Sequence, residues 1–236
     1  MISLLLRCQK LKLTLQKHAA NKPLISALLQ IQDAQCQRAG EVLFAPINLA
    51  MDQSELTVIA GPNGSGKTTL LEAMAGLSRF SSGYRRYEQS EELNNWLQHS
   101  HYLGHKLGNK GNLSCAENLE FVAHINEISV NQQQTEDVLD KAGLAGYQHQ
   151  FASDLSAGQK KRLALSRLLL LNKTFWLLDE PFVNLDHAGC DWLYQIIESH
   201  ISQGGAVILT AHDQKKIHDL ANHHITLEAI PEEVFT

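Results

Sequence analysis

From residue 28 onward the chain alternates between short apolar runs and stretches of helical period, the pattern of an α/β fold. Leu56-Thr57-Val58-Ile59-Ala60 is short, apolar and bounded by Gly61, so it reads as a buried strand. Leu70, Leu71 and Met74 then fall at helical spacing, and Gly76 stands where a C-cap would end the helix. Phe175-Trp176-Leu177-Leu178 and Ala206-Val207-Ile208-Leu209-Thr210 read as two further buried strands. Asp179 follows one and His212 the other, at strand ends where open α/β sheets collect ligands. Between about residues 107 and 155 the pattern is mostly helical and polar, with helices expected over 115–126 and 132–142. That stretch reads as a helical subdomain inserted between strands of the sheet.

The chemistry concentrates around the first of these strands. Gly61-Pro62-Asn63-Gly64-Ser65-Gly66-Lys67-Thr68 matches G-x-x-x-x-G-K-[ST] and lies between a strand and a helix, where the motif has mechanical meaning. Its glycines let backbone N–H groups converge on phosphate oxygens, and the following helix adds the positive end of its dipole. Lys67 is placed to neutralise the β and γ phosphates, Thr68 offers a hydroxyl to Mg²⁺, and Thr69 completes the set of candidate nucleotide contacts. A glycine-rich turn that binds nothing would carry no such context, so the segment predicts ATP or GTP binding. Asp179 and Glu180 follow four apolar residues, as a Walker B segment should. Asp179 is placed to hold the metal through water, and Glu180 to polarise the attacking water. A solvated Asp-Glu-Pro turn is the alternative when the pair stands alone; with the phosphate loop upstream, the chemical reading dominates.

Leu155-Ser156-Ala157-Gly158-Gln159 precedes an amphipathic, basic run over 160–171. Ser156 with Gln159 three residues later is a helix capping box, adequate by itself as a device of helix stability. A helix tip of small residues is also an anion site. At this point the sequence resembles the ABC transporter ATPases, whose signature is L-S-G-G-Q, with Ala157 in place of the first glycine of the pair. The resemblance continues in Val183-Asn184-Leu185-Asp186, similar to the D-loop, and in His212, similar to the switch histidine.

The resemblance implies a P-loop NTPase core of the ABC ATPase type, with an N-terminal antiparallel β portion and a helical subdomain over about 107–160. It implies ATP and Mg²⁺ as ligands and a homodimer that sandwiches nucleotide. Ser156, Gly158 and Gln159 of one copy would then cover the ATP of the other, with Glu180 and His212 catalytic and Thr68 and Asp179 at the metal. Two positions depart from the family. Where an aromatic residue normally stacks on adenine this chain has Arg38, whose guanidinium can stack on a base face. Where the Q-loop glutamine is usual it has Lys106, an ammonium that cannot ligate a cation.

Within that superfamily the closest resemblance is to the CcmA family, the ATP-binding subunits associated with haem export and cytochrome c maturation. It rests on Cys36-Gln37-Arg38 with Glu41-Val42-Leu43-Phe44, on Leu103-Gly104-His105, and on Ala116-Glu117-Asn118-Leu119. Ala142-Gly143-Leu144-Ala145-Gly146, then Leu155 through Arg162 and Leu177-Leu178-Asp179-Glu180-Pro181-Phe182, complete it, while Glu41 departs from the usual arginine. The family implies separate transmembrane subunits and a peripheral position on the cytoplasmic face of the inner membrane. Another ABC transporter, carrying lipid or metal, is the alternative, with a soluble non-transport ABC ATPase behind it.

Length and composition narrow this further. With 236 residues and 44% hydrophobic content, the chain can bury the core of one domain with a small subdomain. No window approaches the roughly 20 apolar residues that span a bilayer. The charge is −5, from 20 basic and 25 acidic side chains, which gives no support to nucleic acid as a partner. Five of the bases (Arg7, Lys10, Lys12, Lys17, Lys22) lie within the first 32 residues, which hold no acid, so the rest of the chain carries −10. We read 1–27 as a basic, poorly ordered extension outside an ATPase domain over 28–236, or alternatively as an arm against anionic lipid. The four cysteines (Cys8, Cys36, Cys115, Cys190) stand far apart, as in a reducing compartment. His99, His101 and His105 have a spacing that fits no common structural zinc pattern.

Overall fold

The computed structural model describes residues 27–211 and 214–228. The basic extension read over 1–27 lies almost wholly outside them, and His212 lies outside them too. At the centre is a five-stranded sheet built from β5 (Leu56–Ala60), β7 (Ser100–Leu103), β8 (Phe175–Leu178), β9 (Ala206–Thr210) and β10 (His223–Thr226). Its order is β10-β5-β9-β8-β7, and every pairing is parallel. The three strands read from apolar runs stand within the bounds expected of them, in the middle of the sheet.

Those runs are continuous because both faces of the sheet are covered. Side chains alternate across a strand. Phe175, Leu177, Ala206, Ile208 and Ile59 enter one core, while Trp176, Leu178, Val207, Leu209, Leu56 and Val58 enter the opposite one. The first core is shared with α1 (Lys67–Ala75) and with an antiparallel sheet. That sheet joins β4 (Ile47–Met51), β1 (Leu29–Gln35) and β6 (Ser82–Tyr87) in the order β4-β1-β6. Tyr87 of β6, Trp96 of α2 (Leu93–His99) and Phe175 of β8 meet with ring centroids 5.2–5.7 Å apart, and this aromatic cluster locks the two sheets together. The second core is covered by α5 (Ala157–Leu171) and α6 (His187–Ser202). α7 (Lys215–Leu220) adds Ile217 to it.

Between β7 and β8 stand α3 (Cys115–Ile125), α4 (Gln132–Lys141) and α5. Cys115, Leu119, Val138, Leu139, Leu144 and Leu163 pack into a separate, smaller core. α3, α4 and α5 each open on a complete capping box, at Ser114–Glu117, Asn131–Gln134 and Ser156–Gln159. α3 and α4 each end one residue before the boundary read from periodicity. A short hairpin of β2 (Gln37–Arg38) and β3 (Glu41–Val42) projects between β1 and β4.

Candidate functional site

The phosphate loop runs from the end of β5 into α1, and its glycines are dictated by space as well as by backbone angle. Gly61 has φ +148, and a Cβ there would stand 2.6 Å from the carbonyl oxygen of Leu227. Gly66, the N-cap of α1, has φ +93, and a Cβ would stand 2.9 Å from the ring of Phe44. α1 has no side-chain cap and no acidic residue in its first turn. By contrast α3, α4, α5 and α6 are all capped by a side chain. The first amides of α1 thus keep their donors for an anion. Lys67 is only 6% exposed. Its Nζ donates to the carbonyls of Gly61 at 2.8 Å and Pro62 at 2.9 Å, folded across the loop it serves. Ser65 Oγ is buried without a hydrogen-bond partner among the described residues, beside these amides. An orphaned hydroxyl, uncapped amides and a buried ammonium together fit a phosphate chain.

The acid pair is wired to this loop. Thr68 Oγ1 donates to Asp179 Oδ2 at 2.9 Å. Thr210 Oγ1, from the end of β9, donates to Asp179 Oδ1 at 2.8 Å. The same Thr210 oxygen accepts the backbone N–H of Glu180 at 2.7 Å. Asp179 is 2% exposed, and its own N–H donates to the carbonyl of Leu103 at 2.8 Å. Lys161 Nζ, from α5, donates to the carbonyl of Glu180 at 3.0 Å. Burial pushes the Lys161 ammonium down from the ordinary lysine range, and the negative charges of Asp179 and Glu180 oppose that shift. Glu180 has φ 44, a left-handed conformation that costs a non-glycine residue about 1–3 kcal/mol. A hydroxyl and a carboxylate side by side are hard oxygen donors suited to Mg²⁺.

The signature residues occupy a different place. Gln159 N–H donates to Ser156 Oγ at 3.3 Å, and Ser156 N–H donates to Gln159 Oε1 at 2.9 Å, so the capping box is complete. Ser156 and Ala157 are exposed. No hydrogen bond among the described residues joins Ser156, Gly158 or Gln159 to the phosphate loop. Instead α5 grips the segment after the acid pair: a Cβ on Gly158 would lie 3.1 Å from the carbonyl oxygen of Asn184. Arg162 Nη2 donates to Asp186 Oδ1 at 2.9 Å. Asp186 in turn caps α6 through the Gly189 N–H.

Arg38 is exposed on the β2–β3 hairpin. That hairpin is seated on the phosphate loop: Cys36 Sγ lies 3.9 Å from the Thr69 carbonyl, Leu43 N–H donates to the Cys36 carbonyl at 3.0 Å, and the Phe44 ring abuts Gly66. Lys106 is exposed in the loop after β7.

The family model described as the ABC transporter matches residues 44–183. A "cytochrome c biogenesis ATP-binding export protein CcmA" of Histophilus somni is 41% identical over 189 residues, covering 79% of this chain and 87% of that protein. The protein of the same name from Haemophilus influenzae is 39% identical, covering 79% and 89%. This chain belongs to the CcmA family of ABC transporter ATP-binding proteins. Solved structures share the fold of this CcmA-family chain. An ATP-binding subunit of an ABC transporter superposes with TM-score 0.78 at 19% identity, covering 86% of each chain. A dimeric, post-hydrolysis ATP-binding cassette bound to ADP and phosphate superposes with TM-score 0.75 at 20% identity, covering 85% of this chain and 94% of that one.

Motif reading missed Thr210, Lys161 and Arg162. Thr210 is the last residue of an otherwise apolar strand, a polar side chain that a fully buried run would not contain without a partner; that was its signal. Lys161 and Arg162 carried none, because two bases on a helix read as a solvated face.

Proposed function

We propose that this chain is the ATP-hydrolysing subunit of an export complex for cytochrome c biogenesis, with haem as the cargo of its separate membrane-spanning subunits. The catalytic unit runs from residue 28, with the helices over about 107–160 as its helical subdomain. It sits peripherally on the cytoplasmic face of the inner membrane through those partners. The observation that carries the reading is the 2.9 Å hydrogen bond between Thr68 and Asp179, which joins the phosphate loop to the acid pair in one site.

In this site Gly61 and Pro62 shape the turn, Asn63, Gly64, Ser65 and Gly66 wrap the phosphates with main-chain amides, and Thr69 extends that contact into the first turn of α1. Lys67 exchanges the carbonyls of Gly61 and Pro62 for β and γ phosphate oxygens, so its charge is delivered without a search for a rotamer. Thr68 and, through water, Asp179 would hold Mg²⁺, which when bound neutralises charge on the phosphate oxygens. Arg38 lies against the base. Glu180 takes a proton from water as the new O–P bond forms and the bond to the ADP oxygen breaks. His212 is assigned the γ phosphate as its contact. The exposed tip formed by Ser156, Gly158 and Gln159 completes the site of a second copy, adding helix-end donors where charge develops.

The test is genetic and biochemical together. Replacing the gene with a Glu180→Gln allele in its host should abolish covalent haem in c-type cytochromes, read on haem-stained gels, while the protein stays at the membrane. Normal cytochrome c levels in that strain would refute the assigned role.

A further inference from the structure

Glu180 is held in place by its backbone. A non-glycine residue at φ 44 relaxes out of that conformation unless its neighbours forbid it, and two side chains from other elements do so here. On the amino side the Thr210 hydroxyl accepts the Glu180 N–H at 2.7 Å. On the carbonyl side the Lys161 ammonium donates to the Glu180 oxygen at 3.0 Å. Both groups meet Glu180 at its main chain. Thr210 is 0% exposed and Lys161 is 4% exposed.

A hydroxyl has one proton and two lone pairs. Thr210 spends its proton on Asp179 Oδ1 at 2.8 Å and a lone pair on the Glu180 amide. It therefore ties the carboxylate that faces Thr68 to the main chain of the next residue, from a strand 30 positions further along. Valine has the same shape and can do neither. Serine can do both.

We propose that Thr210 is a positioning residue for ATP hydrolysis: its hydroxyl sets the left-handed backbone of Glu180 against Asp179, and Lys161 fixes the next peptide unit, on the carbonyl side of the same residue. This rests on Glu180 acting as the base, as proposed above. Side chains that hold a reacting residue in this way commonly change rates about 10- to 100-fold when removed.

Steady-state ATPase assays on the full chain, with ATP-analogue binding measured separately, test it. Thr210→Val should lower kcat about 10- to 100-fold, with ATP affinity and KM moving no more than about threefold. Thr210→Ser should restore most of the rate. In a Glu180→Gln background, Thr210→Val should add no further loss, because the two act as one unit. Lys161→Met should reproduce the kcat defect, and it carries the test if Thr210→Val does not fold. Wild-type kcat in Thr210→Val, or a loss that multiplies with that of Glu180→Gln, would overturn the proposal. Wild-type turnover by Glu180→Gln itself would instead remove the base assignment, and the positioning role with it.

Discussion

Lys67 rests on two carbonyls of its own loop, so its buried charge is solvated by the backbone before any nucleotide arrives. In the proposed function, binding exchanges these neutral acceptors for phosphate oxygens, and a lysine so partnered can sit almost wholly out of water. Arg38 makes the opposite arrangement: it is exposed, on a hairpin clamped to the loop through Cys36 and Phe44. Arg38→Ala should weaken ATP affinity about twofold to fivefold, the scale of an exposed cation–π contact, without lowering kcat. Fluorescent-nucleotide titration measures this, and unchanged affinity would take Arg38 out of the site.

His101, in β7, has a different consequence. Its Nε2 is buried without a hydrogen-bond partner among the described residues. Burial first, then the charges of Arg167 and Lys173, pull its pKa down to about 4. The unfolded histidine takes up a proton near pH 6.5 and the folded one does not, so stability is complete above that pH and falls as the pH drops toward 4. Between pH 7 and pH 5 this group should cost about 2 kcal/mol. Denaturant titrations of His101→Leu should show a flatter pH dependence in that window; a slope equal to the wild type's would show that His101 is not responsible.

Among the elements, α5 does the connecting. Its tip is the capped Ser156 loop, Gly158 lets it close on Asn184, and Arg162 ties it to Asp186. Further along, Arg167 donates to the Leu107 carbonyl at 2.7 Å and also to Asn109, and Asn109 donates back to the Lys160 carbonyl at 2.9 Å. One rigid rod thus touches the loop that holds Lys106, the acid pair and the segment that caps α6. Ser156→Ala separates helix stability from catalysis. Loss of the cap should cost about 1 kcal/mol, a shift of a few degrees in Tm. ATP turnover should fall about tenfold or more if the hydroxyl also reaches a partner's nucleotide. A turnover loss no larger than the Tm change explains would confine Ser156 to capping.

For the whole molecule, the decisive feature is that no hydrogen bond among the described residues joins the signature tip to the phosphate loop, and the proposed site draws the tip from a second copy. Glu180→Gln should therefore accumulate as an ATP-dependent dimer in light scattering, while Lys67→Ala stays monomeric. A Glu180→Gln protein that remains monomeric at saturating ATP would contradict the sandwich. No helix among the described residues is long and apolar enough to cross a membrane.

The division of information between sequence and structure follows from range. The phosphate loop, the acid pair, the capping box at Ser156 and the three central strands are local devices, each complete within about a dozen residues, and the periodicity and residue types alone determined them. The strand β10, with its histidines, and the two-residue hairpin that carries Arg38 lack any such pattern. They exist because β5 offers an edge and Thr69 and Gly66 offer a seat. Placement of Arg162 on Asp186, of Lys161 on Glu180, and of Thr210 between two acids was decided only by tertiary structure. Those partners lie 19 to 31 residues apart, and a hydrogen bond across that distance depends on how the sheet and helices pack, which no local spacing encodes.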